Sequence, residues 1–312
     1  MTSPTIILSR ELRAMGMERE LRARLARGTL RRIRHGVYVE TSEYEALTAD
    51  ERYRLDVAAV AHLLPRTQFS RDSAAALWRL PSLGPWPLDV HAASPRSEGG
   101  RSGALVRRHG VGLDPRPAVI DGVTVTSLTR TLAEMACDRS FPRAVVALDS
   151  GLRTPEPGDF RWGTPAPTRE EVLTELATLG RLSRSVTGLR AIAFADGASG
   201  SPGESLSRTQ IHALGLPAPE LQVEFHDHRG VIGTVDFYWR HLGLVGEFDG
   251  HSKYGDKRRF ARHLTAAEVL IAEKDREDRL RAVVDGLVRW DWATARDRRA
   301  LAAWLARHGL VP

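Results

Sequence analysis

Hydrophobic residues in the first 40 positions recur with the period of two short helices. The pattern predicts helices over 9–15 and 17–27, separated by Gly16. Ser9 is a candidate N-cap for the first helix, and Gly28 is a candidate C-terminal stop for the second.

Residues 29–39 then alternate between apolar and polar side chains, which indicates a β-strand. The candidate inward-facing residues are Leu30, Ile33, Val37 and Val39. A short helix, a tight turn, a second helix rich in arginine and a basic ribbon together describe a winged helix-turn-helix.

The middle of the chain combines helical and strand-like patterns. Helices are predicted over 52–64 and 72–79, before a proline-bounded break. Strand-like segments follow at 88–92, 104–109 and 118–127, and the last contains the hairpin signal Asp121-Gly122. Further helical segments are predicted at 127–136, 141–153, 168–180 and 186–195.

The C-terminal third predicts a mixed β-sheet with an αβββαβ order and a trailing helix. The helices are expected at 204–214, 257–282 and 293–308, and the strands at 221–226, 231–239, 243–249 and 286–290. The first three strands are expected to form an antiparallel meander. The third and fourth strands are expected to be parallel because a helix connects them.

These patterns predict an α/β, multi-domain protein. Its expected parts are a winged-helix DNA-binding region, an α+β middle region, a linker with bridging helices and a C-terminal domain, over 1–85, 86–153, 154–200 and 201–312.

Composition narrows the functional classes. The 312 residues include 45 Lys+Arg against 39 Asp+Glu, a net charge of +6, which favours an anionic partner. The single cysteine, Cys137, excludes an internal disulfide and a cysteine-based zinc site. No signal-peptide pattern and no stretch of 18 uncharged apolar residues is present, so we expect a cytoplasmic protein that does not span a membrane.

Positive charge is concentrated at the N-terminus. Residues 9–35 contain nine arginines and three glutamates, an excess equal to that of the whole chain. The arginines expected to contact the phosphates of double-stranded DNA are Arg19, Arg22, Arg31, Arg32 and Arg34. The alternative is a solvated pair of amphipathic helices.

Three carboxylates interrupt the apolar strands of the C-terminal sheet. Glu247 and Asp249 share one strand face, and a hairpin turn near residues 241–242 would place Asp236 opposite Glu247. Because buried carboxylates need a cation, Mg²⁺ (or Mn²⁺) bound by Asp236, Glu247 and Asp249 is the favoured interpretation. The alternative is that the acids are solvated at a strand end and pair with nearby cations, namely Lys253, Lys257, Arg258 or Arg259.

Glu204 has two interpretations. It is a candidate ligand for the metal or for a metal-bound water, and it also occupies the third helical position after a candidate N-cap, Ser201, with Pro202 at the first position.

Two segments resemble known families. The run SRELRAMGMERELRARLARGTLRRIRHGVYV resembles the winged-helix segment of AbiEi-type antitoxins, which are transcriptional regulators of type IV toxin–antitoxin systems. The resemblance continues through RYRLDVAAVAHLLPRTQFSRDSAAALWRLP.

The second resemblance covers nearly all of residues 201–292. The runs GTVDFYWRHLGLVGEFDGHSKYGD and EKDREDRLRAVVDGLVRWDW are similar to the Vsr-related branch of the PD-(D/E)XK nuclease superfamily, whose fold is restriction-endonuclease-like. The resemblance assigns Asp236, Glu247 and Glu204 to the acids of the motif. Asp249 stands where the superfamily has lysine, and Lys253 is nominated as the substitute cation.

The nuclease resemblance implies metal-assisted hydrolysis of DNA phosphodiester bonds. Lys253 would act on the scissile phosphate. Cations of the long helix would follow the DNA backbone, and these are Lys257, Arg258, Arg259, Arg262, Lys274 and Arg276.

Two hypotheses remain open. The first is a DNA endonuclease targeted by the winged helix, with a role in phage defence or DNA repair. The second is a non-enzymatic, AbiEi-like repressor or antitoxin whose nuclease-like domain is inactive. A cognate toxin and a homodimer are the alternatives for a protein partner.

Overall fold

The computed structural model describes residues 4–100, 102–137, 140–180, 185–250 and 265–312. The strands are β1 (Ile7–Leu8), β2 (Leu30–Arg34), β3 (Val37–Glu40), β4 (Val90–Ala93), β5 (Val106–His109), β6 (Ala118–Ile120), β7 (Val123–Val125), β8 (Glu220–Asp227), β9 (Gly230–Trp239), β10 (Leu244–Phe248) and β11 (Gly286–Trp290). The helices are α1 (Ser9–Ala14), α2 (Glu18–Ala26), α3 (Thr41–Glu45), α4 (Ala49–Leu63), α5 (Arg71–Leu77), α6 (Leu128–Ala136), α7 (Phe141–Leu152), α8 (Arg169–Thr178), α9 (Ser185–Phe194), α10 (Pro202–Ala213), α11 (Ala266–Arg281), α12 (Trp292–Arg296) and α13 (Arg298–Ala306).

The chain forms two compact units of mixed helix and sheet. The first contains Met1–Asp138 and Pro155–Ile192, and the second contains Arg139–Thr154 and Ala193–Pro312. This division does not coincide with the boundaries expected at residues 85, 153 and 200.

The N-terminal strands form a small sheet of order β1-β3-β2. The two predicted helices are confirmed as α1 and α2, but the strand expected over 29–39 is a hairpin, because Gly36 turns the chain with a φ of +80°. The prediction of Ser9 as an N-cap is wrong. Leu8 holds that position, and its side chain makes no capping hydrogen bond.

The rest of the first unit is built around short strand pairs. Strands β4 and β5 are parallel, and β6 and β7 form the predicted hairpin at Asp121-Gly122. Phe69 is almost fully buried and bridges Ala92 and Val125. The segment that leads into α5 therefore lies next to β4.

The second unit contains a four-stranded sheet of order β11-β10-β9-β8. Strands β8, β9 and β10 are antiparallel neighbours, and β10 and β11 are parallel, as the αβββαβ pattern predicted. Leu244 pairs with Trp239, which is the expected hairpin register. The helix predicted over 293–308 is two helices, because Asp297 caps a new helix at residue 298.

No helix in the described ranges combines the length and the apolar character needed to cross a membrane.

Candidate functional site

Helix α2 is oriented by its apolar residues. Leu21 is buried and Leu25 is half-buried, and both belong to a cluster with Leu30 and Tyr38 of the adjacent hairpin. At 100° per residue, Arg19 and Arg22 lie away from this cluster, and both are exposed. The helix therefore presents arginines to solvent.

The exposed arginine surface is defined as Arg19 and Arg22 on α2 together with Arg31 and Arg32 on β2. Arg31 and Arg32 are neighbours in a strand and lie on opposite faces, and Arg32 shares the face of Tyr38, which packs with α2. Within the described residues, Arg19 and Arg32 form no ion pair. Arg22 lies 3.6 Å from Glu18, and the guanidinium of Arg31 lies 4.2 Å from the ring centroid of Tyr44. These contacts leave most of the positive charge uncompensated.

Arg34, the fifth arginine expected to contact DNA, has a different environment. Its guanidinium lies 3.4 Å from Asp56 Oδ1, and its Nε atom is buried. Burial raises the pKa of Asp56, and the charge of Arg34 opposes that shift. The structure therefore gives Arg34 a structural partner that the sequence pattern did not indicate.

Asp236 is the first of the predicted acids of the β-sheet in the second unit. It lies at the point where the regular pairing of β9 and β10 ends. The last regular pair is Gly246 with Phe237. Beyond it, Asp236 Oδ2 accepts a hydrogen bond of 2.8 Å from the backbone N–H of Phe248. This side-chain oxygen takes the place that a strand carbonyl would otherwise occupy.

Glu247 is held by two guanidinium groups. Arg276 of α11 donates to Oε1 and Arg289 of β11 donates to Oε2, each at 2.8 Å. Arg276 also contacts Glu273 at 3.1 Å, and Arg289 contacts Glu277 at 2.7 Å. Burial by itself would lower the pKa of Arg276, but the carboxylates of Glu273 and Glu247 raise it above its ordinary value.

Glu204 is buried and acts as part of a helix cap. Its Oε2 atom accepts hydrogen bonds from the backbone N–H of Gly200 at 2.8 Å and from Gln222 Nε2 at 3.0 Å. Ser201 is the N-cap, as predicted, and its hydroxyl accepts from the N–H of Glu204 at 3.2 Å. The capping interpretation therefore has direct contacts in the structure.

The remaining predicted residues are not brought into this group. Asp249 is exposed, and its backbone N–H donates to the carbonyl of Trp290 at 2.8 Å. Lys274 is exposed. The predicted residues Lys253, Lys257, Arg258, Arg259 and Arg262 lie outside the described residues.

The described residues alone do not supply a complete ligand set for a divalent cation. Among the residues described, no group of three or more His, Cys, Asp or Glu side chains is arranged to hold a metal ion. Both oxygens of Glu247 accept from guanidinium groups, which themselves pair with Glu273 and Glu277. In the described structure arginine compensates the charge of Glu247.

Sequence reasoning missed Arg289 and the acidic partners of Arg276. A signal for Arg289 was present, because it is a charged residue in an apolar strand and its register partner in the parallel pair is Glu247. Opposite charges at paired strand positions attract each other. Arg276 was assigned to DNA, but its side chain is mostly buried against Glu247 and Glu273.

Comparison with known proteins does not indicate an activity for this chain. No family model matches the chain. The chain is 31% identical over 130 residues to an uncharacterized protein of each of two strains of Mycobacterium tuberculosis. The match covers 42% of this chain and 44% of each relative, so the chain matches less than half the length of these proteins.

Proposed function

We propose that this protein binds duplex DNA through the exposed arginine surface of its N-terminal region. The observation that carries the proposal is the exposure of four arginines on two elements that pack together, Arg19 and Arg22 on α2 and Arg31 and Arg32 on β2. Phosphate contacts by arginine and lysine supply essentially all of the non-specific affinity of proteins for DNA and a large share of the specific affinity.

The local topology supports this proposal. The order β1-α1-α2-β2-β3, with β1 paired to β3, is compatible with the second and third helices and the wing of a winged helix-turn-helix. In this arrangement α2 is the helix that would enter the major groove. The small side chains of Ala23 and Ala26 lie on the same side of α2 as Arg19. They would allow the helix to approach DNA closely.

The test is the salt dependence of binding to a DNA duplex, measured by fluorescence anisotropy. The fourfold variant of the exposed arginine surface to Ala should show a smaller log–log salt slope, by up to about 0.9 for each lost contact. The matched control removes four exposed arginines of the second unit, namely Arg229, Arg240, Arg299 and Arg307. An unchanged slope in the first variant would contradict the proposal.

For the second unit we propose a non-hydrolytic role, as in an AbiEi-like transcriptional regulator with an inactive nuclease-like domain. The supporting observation is that two guanidinium groups donate hydrogen bonds to the two carboxylate oxygens of Glu247. The position of Asp249, where the nuclease superfamily has lysine, supports the same interpretation.

A second candidate function is an endonuclease dependent on Mg²⁺ or Mn²⁺. The αβββαβ order of the mixed sheet favours it, and the β9–β10 register, if continued by one residue, would place Asp236 opposite Glu247. Purified protein should be incubated with supercoiled plasmid and either metal. Cleavage that is lost in Asp236→Asn would establish this candidate. DNA binding without cleavage would support the regulator instead.

A further inference from the structure

A cluster of polar side chains lies in the first unit, on strands that do not belong to the N-terminal sheet. His91 of β4 and His109 of β5 are on neighbouring parallel strands. His91 Nδ1 and His109 Nε2 are 3.2 Å apart, within hydrogen-bond distance. Asp72 lies 3.9 Å from the same Nδ1 atom of His91.

Three atoms in this cluster are buried without a hydrogen-bond partner among the described residues. They are Ser70 Oγ, Arg71 Nε and His91 Nε2. Ser70 is fully buried, and 8% of His91 is exposed. The backbone N–H of Ser70 donates to the carbonyl of His91 at 3.1 Å, which keeps the two residues adjacent. Unsatisfied buried polar atoms cost about 1–3 kcal/mol each, so three such atoms on adjacent residues indicate a ligand or ordered water.

The environment of Arg71 favours a ligand over water as the missing partner. Its backbone has a φ of +49°, which is rare for a residue with a side chain. The backbone N–H is held by Glu134 Oε2 at 2.9 Å, and the side chain is half-buried. In the described part of the chain, no carboxylate pairs with its guanidinium.

The charges around the two imidazoles agree with a site for an anion. Burial is the largest cause that lowers the pKa of His109, to about 3, and the charge of Arg71 lowers it further. Burial also lowers the pKa of His91, while Asp72 opposes that shift. Of the other nearby charges, Arg107 is paired with Asp89 at 3.6 Å. Of the two arginines near these imidazoles, Arg71 is therefore the one whose guanidinium forms no ion pair with the described residues.

We propose that Ser70, Arg71 and His91 form a binding site for a small oxyanion of the phosphate class. The hydroxyl, the guanidinium and an imidazole N–H are donors to such an anion. The two ring nitrogens of His91 point in different directions, so Nε2 is directed away from Asp72 at Nδ1. The phosphate would be inorganic or terminal, because duplex backbone phosphates do not reach buried atoms.

Isothermal titration calorimetry of the full chain with inorganic phosphate tests this site, with chloride at equal ionic strength as the reference. We expect saturable binding that weakens at least tenfold in Arg71→Met. The matched control is Arg79→Met, because Arg79 also has a positive φ, of 55°, and is exposed near the other end of α5. The phosphate affinity of Arg79→Met should stay within twofold of that of the wild type.

Ser70→Ala keeps the test decisive if Arg71→Met fails to fold. Ser70 Oγ makes no hydrogen bond to the described residues, so this variant should keep its melting temperature and still lose phosphate affinity. A 5′-phosphorylated dinucleotide and its unphosphorylated form distinguish the sources, since competition by the former alone indicates a terminal phosphate. No saturable binding of either phosphate form to the wild type, or wild-type affinity in both Ser70→Ala and Arg71→Met, would overturn the proposal.

Discussion

Arg276 and Glu247 form a hydrogen-bonded ion pair of 2.8 Å between α11 and β10. Arg289 binds the other oxygen of the same carboxylate from β11. The side chain of Glu247 is only 12% exposed, so its charge is compensated inside the fold. Glu247, which the sequence predicts as a metal ligand, therefore connects one helix and two strands through its ion pairs.

Glu247→Gln should therefore destabilise the protein. The substitution removes a charge from a carboxylate that accepts from two guanidinium groups, and we expect a loss of about 1–2 kcal/mol in the free energy of unfolding. Urea denaturation measures this loss. Addition of Mg²⁺ at about 5 mM, enough to fill an ordinary magnesium site, should leave the wild-type curve unchanged.

Glu224→Gln is the matched control for this experiment. Glu224 lies on β8 of the same sheet, and its exposed side chain pairs with His226 at 2.9 Å. Exposed pairs contribute about 0–1 kcal/mol, so this variant should unfold nearly as the wild type does. Higher stability of metal-free Glu247→Gln, together with stabilisation of the wild type by Mg²⁺, would instead identify Glu247 as a metal ligand.

Arg32 and Arg34 should respond differently to substitution by alanine. Arg32 is exposed, so Arg32→Ala should reduce the salt slope of DNA binding and leave stability unchanged. Arg34 pairs with the half-buried Asp56, so Arg34→Ala should lower the free energy of unfolding by about 1–2 kcal/mol. Paired measurements of anisotropy and urea denaturation check both. Equal effects of the two variants on the salt slope would show that Arg34 also contacts DNA.

Local patterns and pairing arithmetic predicted the sheet of the second unit well. The predicted strand over 286–290 coincides with β11, and the hairpin between β9 and β10 has the expected register. Alternation of apolar residues and the need for a helical crossover between parallel strands are both readable from a sequence.

The surroundings of the acids could not be predicted in the same way. Arg276 reaches Glu247 from 29 positions away, and Arg289 reaches it from 42 positions away. Such pairs depend on how α11 packs on the sheet, which no local pattern specifies. Similarly, the alternation over 29–39 did not show where the chain turns, because a His-Gly pair is a weak turn signal.

Acid should destabilise the first unit through His109. An unfolded histidine has a pKa of about 6.5, whereas the pKa of His109 in the fold is lowered to about 3. Between these values the unfolded chain binds more protons, so stability falls as the pH drops below about 6.5. The slope should stay well below the limit of about 1.4 kcal/mol per pH unit, because His109 is half-buried and partly screened by solvent.

Urea denaturation at several pH values between about 5 and 7 measures this dependence above the range where most carboxylates titrate. His109→Gln removes this group and should reduce the slope, while His91, whose pKa is also lowered by burial, contributes the remainder. An identical pH dependence in that variant would assign the effect to other groups.

Gly203 should tolerate no larger side chain. A Cβ atom at this position would overlap the ring of Phe248, which is almost fully buried against α10. Overpacking typically costs about 1–3 kcal/mol, so Gly203→Ala should lower the melting temperature clearly. Gly103→Ala is the control, because a Cβ atom added there would meet no other atom within 4 Å. Adding Phe248→Leu should recover part of the loss, and no recovery would show that the clash is elsewhere.

Asp236 offers the sharpest distinction between a structural acid and a catalytic one. Its Oδ2 atom accepts from the backbone N–H of Phe248, so an oxygen at this position is needed whether or not it is charged. Asp236→Asn retains an oxygen acceptor and should unfold within about 0.5 kcal/mol of the wild type. Asp236→Leu leaves the N–H unsatisfied in a buried strand and should lose about 1–3 kcal/mol. Equal losses in both variants would show that the negative charge, and not the acceptor, is what the fold requires. The same two proteins, incubated with plasmid and Mn²⁺, then report on chemistry: if the wild type cuts and Asp236→Asn does not, while its stability is kept, the carboxylate charge serves hydrolysis.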